Sequence, residues 1–297
     1  MNEGNLFLNS LQKNAAIMGT AAKKTCDSND ELCSWILDPL ARWSKRAYGE
    51  AIFDIAAKGY ADYCINVARA QNIYEKNGKY MPELLSMIKK EIYNDESYMT
   101  PYMWAAILIY PFWPAMVNHI ELFRNSFINT LPENPNVLEL ACGHGVMGLL
   151  AAEHRSDIIL NGLDLSEHAV RIANKLLAVS NLEGRVSFLV EDALKTDTDE
   201  NIYQGIIAAM LAEHLEDPQI LFYSIKKRLA PNGIVYFSTA LESFQRDHVY
   251  EYHNESEPVV MAEKAGLRVI KLICDGTVHN NNQRFKPRAL AMILSHK

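Results

Sequence analysis

The stretch Val137-Leu-Glu-Leu-Ala-Cys-Gly-His-Gly-Val-Met-Gly148 constrains this chain more than any other. Val137 to Leu140 is a short, mostly apolar run of the kind that forms a buried parallel strand, and Val146 to Glu153 reads as the first turns of a helix. Between them, Gly143, Gly145 and Gly148 suit a tight turn whose backbone approaches a ligand closely, where a side chain would collide. A strand, a glycine turn and a helix N-terminus make a ligand site at the carboxyl edge of a parallel sheet.

Two ligand chemistries compete for that turn. Gly143-His-Gly145-Val-Met-Gly148 is G-x-G-x-x-G, with Asp164 about 20 residues further on, which satisfies the dinucleotide fingerprint. Glu139, at the strand's end and four positions before Gly143, favours another ligand. A pyrophosphate seeks amide donors and the positive end of a helix, so a carboxylate beside it is unfavourable. S-adenosylmethionine carries no phosphate, and its sulfonium, ammonium and ribose diol suit carboxylates by charge or hydrogen bonding. An NAD(P)-dependent oxidoreductase using the same glycine turn stands as one alternative, and a non-catalytic S-adenosylmethionine-binding protein as another.

Later segments repeat the pattern of strands that end in acids. Ile158 to Asp164 is a second strand, followed by a helix with Ser166 as its N-cap. Arg185 to Asp192 is a third. Tyr203 begins a fourth, which runs through Glu213-His-Leu-Glu-Asp217-Pro218 into a helix with Asp217 as N-cap and Pro218 at its first position. Leu229 to Thr239 is a turn and a fifth strand.

In these residues the chain resembles the class I S-adenosylmethionine-dependent methyltransferases, in the branch whose fourth strand leads into Glu-His-Leu-x-Asp-Pro. The resemblance covers residues 131 to 297 and implies a Rossmann-like seven-stranded α/β domain. It implies that Glu139, Gly143 and Gly145 hold the methionine part of the cofactor. Asp164, with Leu165 beside it, takes the ribose hydroxyls, and Asp192 with Ala193 reads the adenine edge. Ala141 departs from the family where a first glycine is common. Gln204 departs where an aspartate often opens the fourth strand, which weakens any inference about that strand's face.

Composition narrows the partners. A net charge of −7 disfavours a nucleic-acid partner, which needs a basic face. The five cysteines have no C-x-x-C spacing, so neither a zinc site nor a redox pair is indicated, and no metal is expected. The first residues are too polar for a signal-peptide core. The apolar stretch Tyr102 to Val117 is too short to span a membrane and holds Pro111 and Pro114. A cytoplasmic protein with no membrane partner is the expectation.

Residues 1–130 have a different texture from residues 131–297. Leu32–Tyr48, Glu50–Tyr74, Pro82–Tyr93 and Tyr102–Phe127 carry apolar residues at helical spacing. The connector Leu131-Pro-Glu-Asn-Pro-Asn136 marks the boundary. The expected architecture is therefore an all-α N-terminal domain preceding the α/β domain. It is expected to form a homodimer through its apolar helices and to roof a pocket for a small-molecule acceptor. Trp113, between two prolines, is the first candidate for a substrate contact.

Methyl transfer from a sulfonium is an in-line displacement helped mainly by positioning and exclusion of water. A base is required only if the acceptor loses a proton. O-, N-, S- and C-methylation all stay open, secondary metabolites among the acceptors. His214, after the fourth strand, and His248, after the fifth, are the candidate bases, with a structural role for His214 as the other reading. The long connection Leu241 to Ser256 also offers Tyr250 and Tyr252 as substrate contacts.

Overall fold

The computed structural model describes residues 3–81, 96–195, 202–276 and 284–297. The helix expected over Pro82–Tyr93 lies outside them. The chain opens with α1 (Asn5–Asn14), α2 (Ala16–Ser28), α3 (Asp30–Tyr48) and α4 (Ala51–Asn77). The last two match expected helices. α4 stops at Gly78, whose left-handed backbone lets its N–H donate to the Tyr74 carbonyl at 2.8 Å. The helices α1 and α2 were not read from sequence, because their buried faces are narrow: α1 buries Phe7, Ser10 and Leu11 alone.

The run expected as one helix from Tyr102 to Phe127 is broken into α5 (Glu96–Phe112) and α6 (Pro114–Leu122), followed by a π-helical turn at Phe123–Phe127. The break is at Trp113, whose extended backbone (φ −103°, ψ 125°) is the conformation that a following proline imposes.

Seven strands follow: β1 (Asn136–Leu140), β2 (Ile159–Asp164), β3 (Val186–Val190), β4 (Tyr203–Ala209), β5 (Leu229–Leu241), β6 (Leu267–Gly276) and β7 (Arg288–His296). Interspersed with them are α7 (Val146–His154), α8 (Glu167–Leu177), α9 (Pro218–Arg228) and α10 (Ser256–Lys264). The sheet order is β3-β2-β1-β4-β5-β7-β6, with β1 to β5 parallel and β7 antiparallel to both neighbours. β1 lies between β2 and β4, so the connections leaving β1 and β4 wind in opposite directions. A crevice opens at their carboxyl ends. Ser166 caps α8 by accepting from Ala169 N, and Asp217 caps α9 ahead of Pro218.

Strand residues alternate between the two faces, as a period of two dictates. Val137, Ile207, Tyr236 and Ile293 pack with α7, α8 and the N-terminal helices. Leu138, Ile206, Phe237 and Met292 pack on the other face with residues of α9 and α10. The first of these cores runs without interruption from Phe7 and Trp104 to Leu149, Tyr236 and Ile293. It therefore crosses the connector after residue 130. Phe123 stacks on Phe127 (centroids 5.5 Å apart) and meets the Tyr236 ring edge-on at 5.0 Å, which ties the connector to β5.

Within Tyr102–Val117, Trp104, Ala105, Ile107, Leu108, Phe112 and Met116 are buried in this same core. The apolar surface that motivated the homodimer expectation is thus covered by the chain itself. No helix among the described residues is long and apolar enough to cross a membrane.

Because the core is shared, the helical layer and the sheet should unfold together. Phe127, fully buried, is their bridge, and Phe127→Ala should lower stability by about 3–5 kcal/mol. Urea unfolding followed by tryptophan fluorescence and by far-UV circular dichroism should give coincident, shifted transitions. A wild-type midpoint, or two separate transitions, would contradict this.

Candidate active site

The site begins with a buried acid. Glu139 lies one residue before the end of β1, is 3% exposed, and its Oε2 accepts from the Gly148 N–H at 3.1 Å. Gly148 is the third residue of α7, where an amide has no partner within the helix. A Cβ on Gly148 would stand 2.5 Å from that same oxygen, so only glycine permits the contact. Between strand and helix the chain turns through Ala141, Gly143 and Gly145, all with positive φ (53°, 53° and 69°). Ala141 thus adopts a backbone that glycine takes more readily, which accounts for the family's preference at that position.

The acid of β2 holds the turn from the other side. Asp164 Oδ2 accepts from Gly143 N and Oδ1 from Ser166 N, both at 2.8 Å. Asp192, after β3, accepts from Leu194 N at 2.9 Å, and the Ala193 carbonyl accepts from Arg228 Nη1 at 2.7 Å. His144 caps the turn by accepting the Val146 N–H at its Nδ1 (3.0 Å).

The three acids, with Ala141, Gly143 and His144, line one cavity of about 580 Å³. Its floor includes Glu139, Gly143, Asp164, Leu165, Asp192 and Ala193. Its roof comes from the N-terminal helices, with Tyr63 of α4 and Tyr102, Met103 and Tyr110 of α5. Gln245 donates to the Tyr63 hydroxyl at 3.0 Å, joining roof to wall. Gly145, expected to hold the cofactor, stands behind the turn, where a Cβ would meet the Phe188 ring at 2.5 Å, and is not on the cavity wall.

The far wall is built from the segments after β4 and β5. Glu213, His214, Asp247 and His248 all line the cavity. His214 Nδ1 donates to the Asp247 carbonyl at 2.9 Å, and His248 Nδ1 to the Ser243 carbonyl at 2.7 Å. The two rings stand perpendicular with centroids 5.1 Å apart. The Glu213 carbonyl accepts from Val249 N and Tyr250 N (2.8 and 3.0 Å), which pins the loop after β5 against the one after β4. His248 is only 2% exposed. Burial, and then the neighbouring His214, hold it below the ordinary imidazole range. For His214 burial also acts downward, but Asp247 and Glu213 outweigh it and raise the ring above that range.

Three expected substrate contacts stand away from the cavity. Trp113 donates to the Tyr60 hydroxyl at 2.9 Å and packs behind Tyr63. Tyr252 is fully buried in the second core, and Tyr250 packs against it at 4.6 Å. None of the three lines the cavity. Tyr63, Tyr102, Tyr110, Gln245 and Asp247, which sequence reasoning did not select, stand there instead. Only Asp247 carried a signal, its place beside His248.

A doubly wound sheet with acids at three successive strand ends around a glycine turn defines a Rossmann-like nucleoside-cofactor fold. A family profile described as a methyltransferase domain matches residues 117–272, over half of the chain. The chain therefore belongs to the class I S-adenosylmethionine-dependent methyltransferase family. It is 25% identical over 178 residues to a ubiquinone biosynthesis O-methyltransferase of Hydrogenovibrio crunogenus, a match covering 60% of this chain and 64% of that protein. The chain thus spans just under two thirds of that relative. It is 33% identical over 107 residues to ajmaline N-methyltransferase of Rauvolfia serpentina, covering 34% of this chain and 36% of that one. Among solved structures, the [4+2]-cyclase SpnF shares the fold with a TM-score of 0.52 at 14% identity, over 62% of this chain and 81% of that chain.

Burial pushes the Glu139 carboxyl up to about 8; the Gly148 amide works against this and the Asp164 charge adds to it. A carboxyl raised on folding contributes stability that is complete below its ordinary pKa of 4.5 and is lost as pH rises toward 8. In the ligand-free protein, Glu139→Gln removes that component. The wild-type melting temperature should fall relative to the variant's between those pH values. Parallel curves would show Glu139 ionised throughout.

Proposed function

We propose that this chain transfers a methyl group from S-adenosylmethionine to a hydroxyl of a small, uncharged, partly aromatic acceptor. The observation that carries the reading is the cavity's charge. Glu139, Asp164, Asp192, Glu213 and Asp247 line it, and no lysine or arginine does among the described residues. Such a wall suits a sulfonium and an ammonium and repels a pyrophosphate, which disfavours a nicotinamide dinucleotide on the same turn.

The fit of the cofactor follows residue by residue. Glu139 faces the cavity beside the glycine turn and gains a counter-charge when a cation arrives. Asp164 accepts two backbone amides and retains lone pairs for a ribose diol. Asp192, Ala193 and Leu165 line the wall beyond it, where the adenine would rest. When bound, the cofactor supplies an electrophilic methyl on sulfur.

The acceptor's side of the cavity is apolar and aromatic above, through Tyr63, Tyr102, Met103 and Tyr110, and titratable on the far wall. His248, held below the ordinary imidazole range, is neutral at pH 7 and has a lone pair to take a hydroxyl proton. The likeness to an O-methyltransferase of ubiquinone biosynthesis supports oxygen as the acceptor atom. The volume, about 580 Å³, must hold both reactants, which restricts the acceptor to a small molecule.

Isothermal titration should show S-adenosylmethionine binding that Asp164→Ala weakens by about 1.5–3 kcal/mol, the worth of charge-assisted hydrogen bonds. Wild-type affinity in the variant would reject the assignment, and tight NAD binding in place of S-adenosylmethionine would reject the family's cofactor for this chain. A screen with methyl-labelled cofactor should favour neutral phenols over their carboxylated or phosphorylated analogues. With the best acceptor, His248→Ala should lower kcat about 10²–10⁴-fold at unchanged cofactor affinity. Preference for anionic acceptors would overturn the charge argument.

A further inference from the structure

The far wall holds more than a base requires. We propose that Glu213, His214 and His248 form a binding site for one divalent transition-metal ion, open toward the cavity.

Three observations carry this. A potential ligand atom from each residue lies within 4.8 Å of those of the other two. Metal–ligand bonds of about 2.0–2.2 Å place such atoms roughly 3–3.5 Å apart, so side-chain movements of about 1–2 Å would close the shell. Second, both histidines are oriented by backbone. A carbonyl oxygen can only accept, so the contacts to Asp247 and Ser243 fix the proton of each neutral ring on Nδ1. The lone pair is then on Nε2, the arrangement that metal-binding histidines adopt when a backbone carbonyl holds the other nitrogen.

Third, Glu213 is fully buried with one oxygen engaged and the other idle. Its Oε2 accepts from the Thr239 hydroxyl at 2.8 Å, while Oε1 is buried without a hydrogen-bond partner. An idle buried carboxylate oxygen is costly, and a cation beside it removes the cost. The residue lines the same cavity as the two rings.

The donor set selects the ion. Two imidazoles and one carboxylate suit zinc, iron(II), cobalt or nickel rather than magnesium or calcium, which prefer oxygen ligands throughout. Three protein ligands leave coordination positions facing the cavity, where an acceptor oxygen or water would complete the shell. The site shares its cavity with the methyl-transfer reading, and an ion on His248 Nε2 would occupy the lone pair that otherwise takes the acceptor proton, so the metal-bound and base forms of His248 exclude one another.

The full-length protein, stripped by chelator and titrated with cobalt(II), should develop ligand-field absorption that saturates at one equivalent and is displaced by zinc. Glu213→Gln and His248→Ala should each abolish the saturable signal. Thr239→Val removes only the hydroxyl that orients Glu213 and should weaken cobalt binding about 10–100-fold, with circular dichroism confirming the fold. His253→Ala, an exposed histidine outside the cluster, should titrate like the wild type. Absence of a saturable signal, or one that Glu213→Gln and His248→Ala leave unchanged, overturns the proposal. If those two variants do not fold, wild-type cobalt affinity in folded Thr239→Val overturns it. Cobalt absorption needs neither cofactor nor acceptor, so failure of this inference leaves the cofactor titration and acceptor screen standing, and the converse also holds.

Discussion

The contact between Glu139 and the amide of Gly148 is the constraint on which the rest of the site depends. It places a carboxylate, buried by the sheet, on the positive end of α7, and it works only because residue 148 has no side chain. Asp164 adds a second brace from the neighbouring strand by accepting the Gly143 amide. Two acids on adjacent parallel strands therefore shape the glycine turn from both sides. Each acid accepts an amide of the turn or of the helix that follows it, which offsets part of the cost of its burial. A carboxyl pushed up to about 8 marks what remains unbalanced. Under the proposed function, that imbalance is what a cationic cofactor would relieve.

The helical region completes that site because it is part of the same core. Pro114 holds Trp113 extended, which ends α5 and starts α6, and the offset lays α5 over the cavity while α6 and the Phe123–Phe127 turn run down onto β5. Tyr102 and Ala106 face the cavity from the helix whose Trp104 and Leu108 are buried in the core. Roof and scaffold are thus opposite faces of one helix, so the roof is held by the packing that holds the fold.

Sequence carried the local signals and missed the convergent ones. The strands, the glycine turn, the caps at Ser166 and Asp217 and the acids at 139, 164 and 192 were legible because each is a feature of a few consecutive residues. α1 and α2 were not, since their buried faces are too narrow to produce a periodic pattern. Trp113, Tyr250 and Tyr252 lie off the cavity, a placement no local signal gives, because an aromatic near a loop reads alike whether it faces a ligand or its own core. Gly145 was assigned to the ligand, yet its missing side chain makes room for Phe188. The meeting of Glu213 and His214 with His248 arises from tertiary structure. β4 and β5 are parallel neighbours, so the segments that follow them leave the sheet at the same edge. That adjacency depends on strand order, which no single segment encodes.

The division of labour within the cavity follows from the same geometry. The edge formed by β1, β2 and β3 is braced by backbone amides, and side chains there serve the turn as much as any ligand. A substitution there disturbs the turn itself. The wall after β4 and β5 is built from side chains on loops, each oriented by a carbonyl or a hydroxyl: Asp247 for His214, Ser243 for His248, Thr239 for Glu213. Replacing one of these alters the chemistry presented to an acceptor without disturbing the strands beneath. Fold and cofactor motif therefore leave the reaction undetermined. On that wall Glu213, His214 and His248 stand across the cavity from a roof that includes tyrosine and methionine.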